Sequence, residues 1–406
     1  MCQVEIKFDN SKQLFQLIEN NKIVYYNDFT NRFSAEYNRI IGVKDIVRSK
    51  DFTNSFGLKI IPSNDCNLKC QYCFSQHDRG KCEKLDFPKI KNTLDIILSK
   101  NYKEIAISFT GGGEPTTNFK CIHDIIEYTK NKHNNIHFNL TTNGVFGKHV
   151  LDYLEENHVN IAMSIDGVYE IENLQQKETL PIEKYKLIIS NAQHLIKAGN
   201  EVTALTVLTE TTIKKYITKI KQLTEDTFGY LYTLGIRAMA VTFDKNIFLK
   251  ELEPEIIEAM ADFCINTAKW KSLHPDTIAV NRFAYSKNRA LNKNLLCNGI
   301  EELEQNRTIL ANGRYSFCHK VQVDEFTDSV FHETGLKALV NNDVMDRVKR
   351  NVIEQKKKCK VCIARQTCMG MVCPVMFIEN SEIENNCYCH NNYLLRYSIL
   401  KKSIFN

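Results

Sequence analysis

"GLKIIPSNDCNLKCQYC" (57–73) starts as an apolar, β-branched run and ends in three cysteines, Cys66, Cys70 and Cys73, spaced C-x3-C-x2-C with Tyr72 just before the last. A structural zinc site or a complete cubane cluster takes four thiolates, so three on one loop leave a metal position for another ligand. A strand that runs straight into such a loop puts the thiolates at a strand end. There α/β barrels gather their active-site loops.

The layout recurs downstream. After "GLKIIP" (57–62) come "EIAISFT" (104–110), "IHFNLTT" (136–142), "NIAMSI" (160–165), "VTALTVL" (202–208) and "IRAMAVTF" (236–243). Each is apolar enough to be buried on both faces, and amphipathic stretches such as "FPKIKNTLDIILSK" and "IEKYKLIISNAQHLIKAG" separate them, the βαβ signature of a parallel sheet. The expected fold is α/β, a partial (β/α)6 TIM-like barrel over 57–244. The second run is followed by "GGGEP" (111–115), the third by "NG" at Asn143 and the fourth by "DG" at Asp166. Either dipeptide alone reads as turn chemistry. Their shared placement at strand ends points to one mouth.

The 406 residues, 43% hydrophobic and 25% charged, suffice for a large core and a smaller second part. Residues 1–56 read as an α/β prelude of strand and helix. Residues 245–296 read as a helical bridge, clearest in "EPEIIEAMADFCINTAKWKSL", and 297–406 form a cysteine-rich domain closed by the helix "YLLRYSILKKSIF". No apolar run reaches membrane-spanning length, and "MCQVEIKFDN" has neither a basic nor an apolar signal region, so the expected location is the cytoplasm. A net charge of +5 is mild, and "KKK" (356–358) reads as a solvated run, so no nucleic-acid partner is indicated. In a reducing compartment fifteen cysteines point to metal or redox chemistry instead of a disulfide framework.

The triplet with Tyr72 resembles the signature of the radical S-adenosylmethionine (SAM) superfamily. That resemblance implies a [4Fe-4S] cluster on Cys66, Cys70 and Cys73, its open iron chelated by the amine and carboxylate of SAM, and reductive cleavage of SAM to methionine and a 5′-deoxyadenosyl radical. A low-potential donor such as ferredoxin or flavodoxin would supply the electron. It further implies that Gly112, Gly113 and Glu114 lie against the methionine ammonium, with Gly111 an additional glycine and Pro115 stiffening the exit. Asn143, Ser164 and Asp166 would lie around the ribose and methionine, and Val207 and Leu208 would flank the adenine. The bland alternative for Asn143 or Ser164 is an ordinary strand-end hydrogen bond. Where relatives carry a basic partner for the SAM carboxylate, "DGVYEIENLQQKE" offers Lys177, which lacks the planar fork of Arg.

Downstream, Cys297 is followed by fifteen residues, Gly313, four residues and Cys318; then come "CKVCIARQTCMGMVC", holding Cys359, Cys362, Cys368 and Cys373, and "NCYCH", holding Cys387 and Cys389. This resembles the SPASM domain, the auxiliary iron–sulfur module of radical SAM enzymes that modify peptides and proteins. One departure is the four residues between Cys368 and Cys373 where the family has three. The resemblance implies two auxiliary [4Fe-4S] clusters. Cys359, Cys362, Cys368 and either Cys387, which is preferred, or Cys389 would hold the distal one. Cys297, Cys318 and Cys373 would hold the nearer one, left open for substrate or completed by Cys389 or His319. Zinc is the alternative for an isolated C-x2-C pair, and ranks lower behind a radical SAM triplet. Cys2, Cys82, Cys121 and Cys264 fit no pattern and read as ordinary thiols.

The leading expectation is a peptide maturase that crosslinks a ribosomally made peptide by a thioether or carbon–carbon bond. The closest rival is an anaerobic sulfatase maturase, in which an Asp acting as general base follows the G-x4-C cysteine. Here that residue is His319, which reads either as a proton acceptor near neutral pH or as a solvent-facing loop residue. Dehydrogenation of a small alcohol and a non-catalytic zinc or cluster partner are the remaining alternatives.

Overall fold

The computed structural model describes residues 4–11, 14–28, 32–36, 55–75, 83–133, 135–176, 178–281, 308–322, 326–331, 343–359, 361–365, 367–368 and 387–405. The first elements are strands β1 (Glu5–Asp9), β2 (Leu14–Glu19), β3 (Lys22–Asn27) and β4 (Arg32–Ser34), paired in order as an antiparallel sheet. Asn20 and Asn21 take φ of 50° and 64° between the paired Glu19 and Lys22, the two-residue turn whose twist suits a hairpin and which Asn tolerates. The described part of 1–56 is therefore strand, without the helix expected there.

A second sheet carries the six predicted runs as β5 (Ser55–Ile60), β6 (Glu104–Phe109), β7 (Ile136–Thr142), β8 (Asn160–Ser164), β9 (Val202–Leu208) and β10 (Ala238–Phe243). Every neighbouring pair among them is parallel. Three short strands extend the sheet at its edges. β11 (Ile278–Asn281) lies parallel beside β10, while β12 (Thr308–Ile309) pairs with β5 and with β13 (Tyr315–Ser316). The order β11-β10-β9-β8-β7-β6-β5-β12-β13 runs from one edge to the other without closing, so the barrel is partial. The 245–296 stretch thus contains β11 as well as the helix Pro254–Leu273.

Burial alternates along these strands, which the sequence had led us to expect buried on both faces. In β6, Ile105, Ile107 and Phe109 are buried while Ala106 and Ser108 are only half-buried. The apolar set packs on the helices Phe87–Leu98 and Phe119–Thr129 through Ile90, Leu94, Ile122 and Ile125, each side chain contributing ~1.5–3 kcal/mol. On β7 to β10 the other face turns Thr141, Ser164, Leu205, Val207 and Thr242 toward a cavity. Period-two alternation divides these strands between the core and the opposite face.

The C-terminal helix Cys387–Ile404 ties the parts together. Ser398 and Lys402 reach Glu258 and Asp262 on the helix Pro254–Leu273, Lys402 at 2.8 and 2.7 Å. Its Leu400 joins Val4, Phe15, Leu17, Tyr26 and Ile363 in a second core beneath the N-terminal sheet. No helix among the described residues is long and apolar enough to cross a membrane.

Candidate active site

A cavity of about 390 Å³ opens at the C-terminal ends of the parallel strands, within the ~300–1,000 Å³ usual for small-molecule sites. Cys66, Cys70 and Cys73 line it from the loop after β5, facing Gly111, Gly112 and Gly113 after β6 and Asn143 after β7. Hydrogen bonds hold the cysteine loop on three sides. Gln71 N–H donates to Gln175 O at 2.7 Å, Asn67 Nδ2 to Val145 O at 2.8 Å, and Lys184 Nζ to Asn67 O at 2.9 Å. Two sulfurs accept from amides: Cys70 Sγ from Gln176 Nε2 at 3.3 Å, Cys66 Sγ from Asn143 Nδ2 at 3.8 Å. Burial pushes the Cys70 thiol up to about 12, with Asp166, Cys66 and Cys73 adding to it against the Gln176 bond. Loading a metal there therefore means displacing a proton.

Glu114 lines the cavity beside Gly112 and Gly113, yet is only 2% exposed. Its Oε1 accepts from Thr116 N–H, Thr116 Oγ1 and Thr142 Oγ1 at 3.1, 2.8 and 2.7 Å, and its Oε2 from Asn143 N–H at 2.7 Å. Burial raises its pKa and those bonds oppose the rise. The carboxylate is a brace that fixes Thr142 and Asn143 at the cavity wall.

Asp166 is likewise buried and does not line the cavity. Its Oδ1 accepts from Val207 N–H at 2.8 Å and its Oδ2 from Tyr72 Oη at 3.1 Å, while its own N–H donates to Glu172 Oε1 at 2.5 Å. Burial lifts its pKa to about 7. It anchors the cysteine loop through Tyr72, and so acts on the site from behind. Ser164 and Val207 line the cavity. Leu208 does not: the next residue along a strand faces the other way, and Leu208 is fully buried in the core. Lys177 lies outside the described residues.

Sequence reasoning missed Gln176, Glu172, Phe74 and the β10 end, Thr242–Lys245, all lining the cavity. Gln176 adjoins Lys177 in the segment where a basic residue was sought, and an amide next to a thiol was the overlooked signal. His319 is half-buried. Its ring lies edge-on to Phe74 at 5.6 Å, its Nδ1 is buried with no partner among the described residues, and burial, with Lys59 and Lys320 adding, lowers its pKa to about 3.

A second, smaller cavity of about 40 Å³ is lined by Cys359, Cys362, Cys368 and Cys389. Cys387, the expected fourth member, is not in it. Residues two apart on a helix point to nearly opposite sides, so the turn that brings Cys389 inward carries Cys387 away. Gln355 Nε2 donates to Cys359 Sγ at 3.4 Å and to Cys389 Sγ at 3.8 Å, bridging two of the thiols. Burial, with Cys359 and Cys362 nearby, raises Cys389 to about 11. Accordingly Cys389→Ser should lose iron from this site on anaerobic reconstitution while Cys387→Ser retains it; equal iron contents would refute the Cys389 assignment. Cys297 and Cys373 lie outside the described residues, Cys318 is half-buried, and Cys121 and Cys264 are core residues. Among the described residues no three His, Cys, Asp or Glu side chains are arranged to hold a single metal ion.

Residues 60–222 match the family model of the Radical SAM superfamily. The chain therefore carries a radical SAM domain, whose family uses SAM and a [4Fe-4S] cluster, and the three thiols, the glycine loop and the cavity size fit that pair. The chain is 33% identical over 109 residues to the uncharacterized protein MJ0907 of Methanocaldococcus jannaschii, covering 26% of this chain and 37% of that protein. It is 28% identical over 127 residues to the radical SAM cyclopropyl synthase TigE of Paramaledivibacter caminithermalis, 27% of each chain. A cysteine-type anaerobic sulfatase-maturating enzyme of Clostridium novyi matches at 28% over 168 residues, 39% of this chain and 44% of that one. The chain thus spans less than half the length of each of these relatives. In fold it is similar to native anSMEcpe with bound AdoMet and Kp18Cys peptide, with a TM-score of 0.62, 19% identity, and 87% and 98% of the two chains covered. Streptococcus suis SuiB bound to precursor peptide SuiA is similar at a TM-score of 0.54 and 16% identity, covering 80% and 73%.

Proposed function

We propose that this chain is a radical SAM maturase that oxidises a ribosomally made peptide, closing a thioether or carbon–carbon crosslink. The observation that carries the reading is the presence of two separate thiol-lined cavities in one chain, one at the mouth of the parallel sheet and one formed by Cys359, Cys362, Cys368 and Cys389. The shared fold with two structures whose names include bound peptides supports a peptide substrate. In this reading residues 57–244 are the radical SAM part, 297–406 the auxiliary iron–sulfur part, and a cytoplasmic ferredoxin or flavodoxin the electron donor.

When bound at Cys66, Cys70 and Cys73, the cluster with SAM supplies a carbon-centred radical able to take a hydrogen atom from an unactivated carbon. The protein's share is position and shielding. Gln176 and Asn143 direct amide N–H groups at two of the sulfurs, and Glu114 fixes Asn143. Closing a crosslink removes two hydrogens, one as an atom and one as a proton with its electron, and Cys359, Cys362, Cys368 and Cys389 would hold a cluster able to accept that electron. Cys297, Cys318 and Cys373 would hold a nearer cluster.

The test is incubation of the anaerobically reconstituted protein with SAM, dithionite and synthetic peptides encoded by short reading frames beside its gene. Loss of two hydrogens from a peptide, matched by 5′-deoxyadenosine, is the expected result. Conversion of a sulfatase-derived cysteine peptide to formylglycine, with the neighbouring peptides unchanged, would replace the crosslinking reading by its rival. His319 standing where that rival has an acidic base argues against such an outcome.

A further inference from the structure

Arg365 stands where three parts of the chain meet. It lies between Cys362 and Cys368 in sequence and lines the cavity those two share with Cys359 and Cys389. Its Nε donates to Asp28 Oδ2 at 2.5 Å and its Nη2 to Asp28 Oδ1 at 2.8 Å, just past the end of β3. The Asp28 side chain is 0% exposed and that of Arg365 10%. The guanidinium also faces Phe8 of β1 and Phe15 of β2, 5.0 and 5.3 Å from their ring centres.

Such a pair is costly to bury and is weak evidence for stability, since apolar residues of the same volume often serve as well or better. The second core already joins the N-terminal sheet to Ile363 and Leu400 by apolar contact. What apolar packing does not supply is a fixed positive charge beside four thiols. Hydrogen bonds and net charge around the sulfurs are what set the potential of an iron–sulfur group.

We propose that Asp28 is a positioning residue for the auxiliary centre: it holds the Arg365 guanidinium against the Cys359, Cys362, Cys368 and Cys389 set, and through it the N-terminal sheet sets the reduction potential of the iron–sulfur group held there. This rests on the auxiliary cluster of the proposed function. Reduction adds negative charge, so a cation held nearby raises the potential.

The test uses the full chain with Cys66, Cys70 and Cys73 all changed to alanine, so that the iron present is auxiliary, reconstituted anaerobically and followed by EPR-monitored potentiometry. The signal is assigned by its loss in Cys389→Ser. Arg365→Gln should shift its midpoint potential to more negative values, and Arg365→Lys, which keeps the charge but loses the fork, should shift it less. Asp28→Asn should also shift it negative, because the released guanidinium turns toward water, and Asp28→Glu should restore it. A positive shift in Asp28→Asn would show that the carboxylate acts only as a nearby charge and would overturn the positioning role. Unchanged potentials at full iron content would overturn it as well. Zinc in place of iron at Cys389 is a distinct result, which would remove the auxiliary-cluster reading itself and this inference with it.

Discussion

Replacing Cys66, Cys70 or Cys73 by alanine is expected to abolish reductive cleavage of SAM, leaving no detectable 5′-deoxyadenosine, while iron at the C-terminal thiols is retained. Three thiolates are the fewest that hold a cubane with one iron free, so removing any of them leaves two and the chelating position is lost with the cluster. Changing a residue that only touches a ligand costs less, ~10–100-fold in metal affinity or activity. Gln176→Ala is the matching control, since it removes the 3.3 Å amide contact to Cys70 and leaves all three thiols in place. The expected order is therefore loss of cleavage for the cysteine variants and a partial defect for Gln176→Ala. The C-terminal iron should survive because Cys359, Cys362, Cys368 and Cys389 line a separate cavity. Liquid chromatography of the dithionite-driven reaction, with iron and sulfide analysis, measures both. 5′-Deoxyadenosine formed by a cysteine variant at the wild-type rate would sink the assignment.

The parallel sheet was readable because its strands are continuous apolar runs and its active loops follow them directly. What one strand's sequence does not carry is which face meets the cavity and which the core. Thus Val207 and Leu208 look equally suited to an apolar ligand wall, and only the pleat separates the first from the second. Glu114 and Asp166 show a second limit. A carboxylate at a strand end reads as a ligand contact alone, yet each is also buried and accepts hydrogen bonds from segments distant in sequence, Asn143 and Thr142 for one, Tyr72 and Val207 for the other. Cys387 and Cys389 were inseparable by spacing, since their difference is the side of the Cys387–Ile404 helix on which each falls. Asp28 and Arg365, 337 residues apart, had no local signal at all.

Gly113→Ala is expected to cost at least ~3 kcal/mol and to empty the Cys66 site of iron, whereas Gly111→Ala should cost ~1–2 kcal/mol and keep it. A Cβ on Gly113 would stand 1.9 Å from Asp65 O and 2.6 Å from Asn64 C, both backbone atoms. That backbone has no room to yield. Gly113 N–H donates to Ser63 O at 2.9 Å and Glu114 N–H to Asp65 O at 2.7 Å, while Asp65 N–H is held by Ser63 Oγ at 3.0 Å. Making space breaks these bonds and moves Asp65, the residue before Cys66, so the damage passes directly to the metal loop. Gly111 has φ of +68°, and the three atoms nearest a Cβ there all belong to the His319 side chain, at 3.1 Å and beyond, with no backbone among them, so the cost is mainly that of a left-handed conformation. The family resemblance gave Gly113 a place against the methionine ammonium. The contacts at Gly113 show a demand that precedes any ligand, since the glycine loop and the cysteine loop must first pack on each other. Thermal unfolding and iron content of the two variants separate the cases, and a Gly113→Ala protein matching Gly111→Ala in both would mean that the loops part without harm to the site.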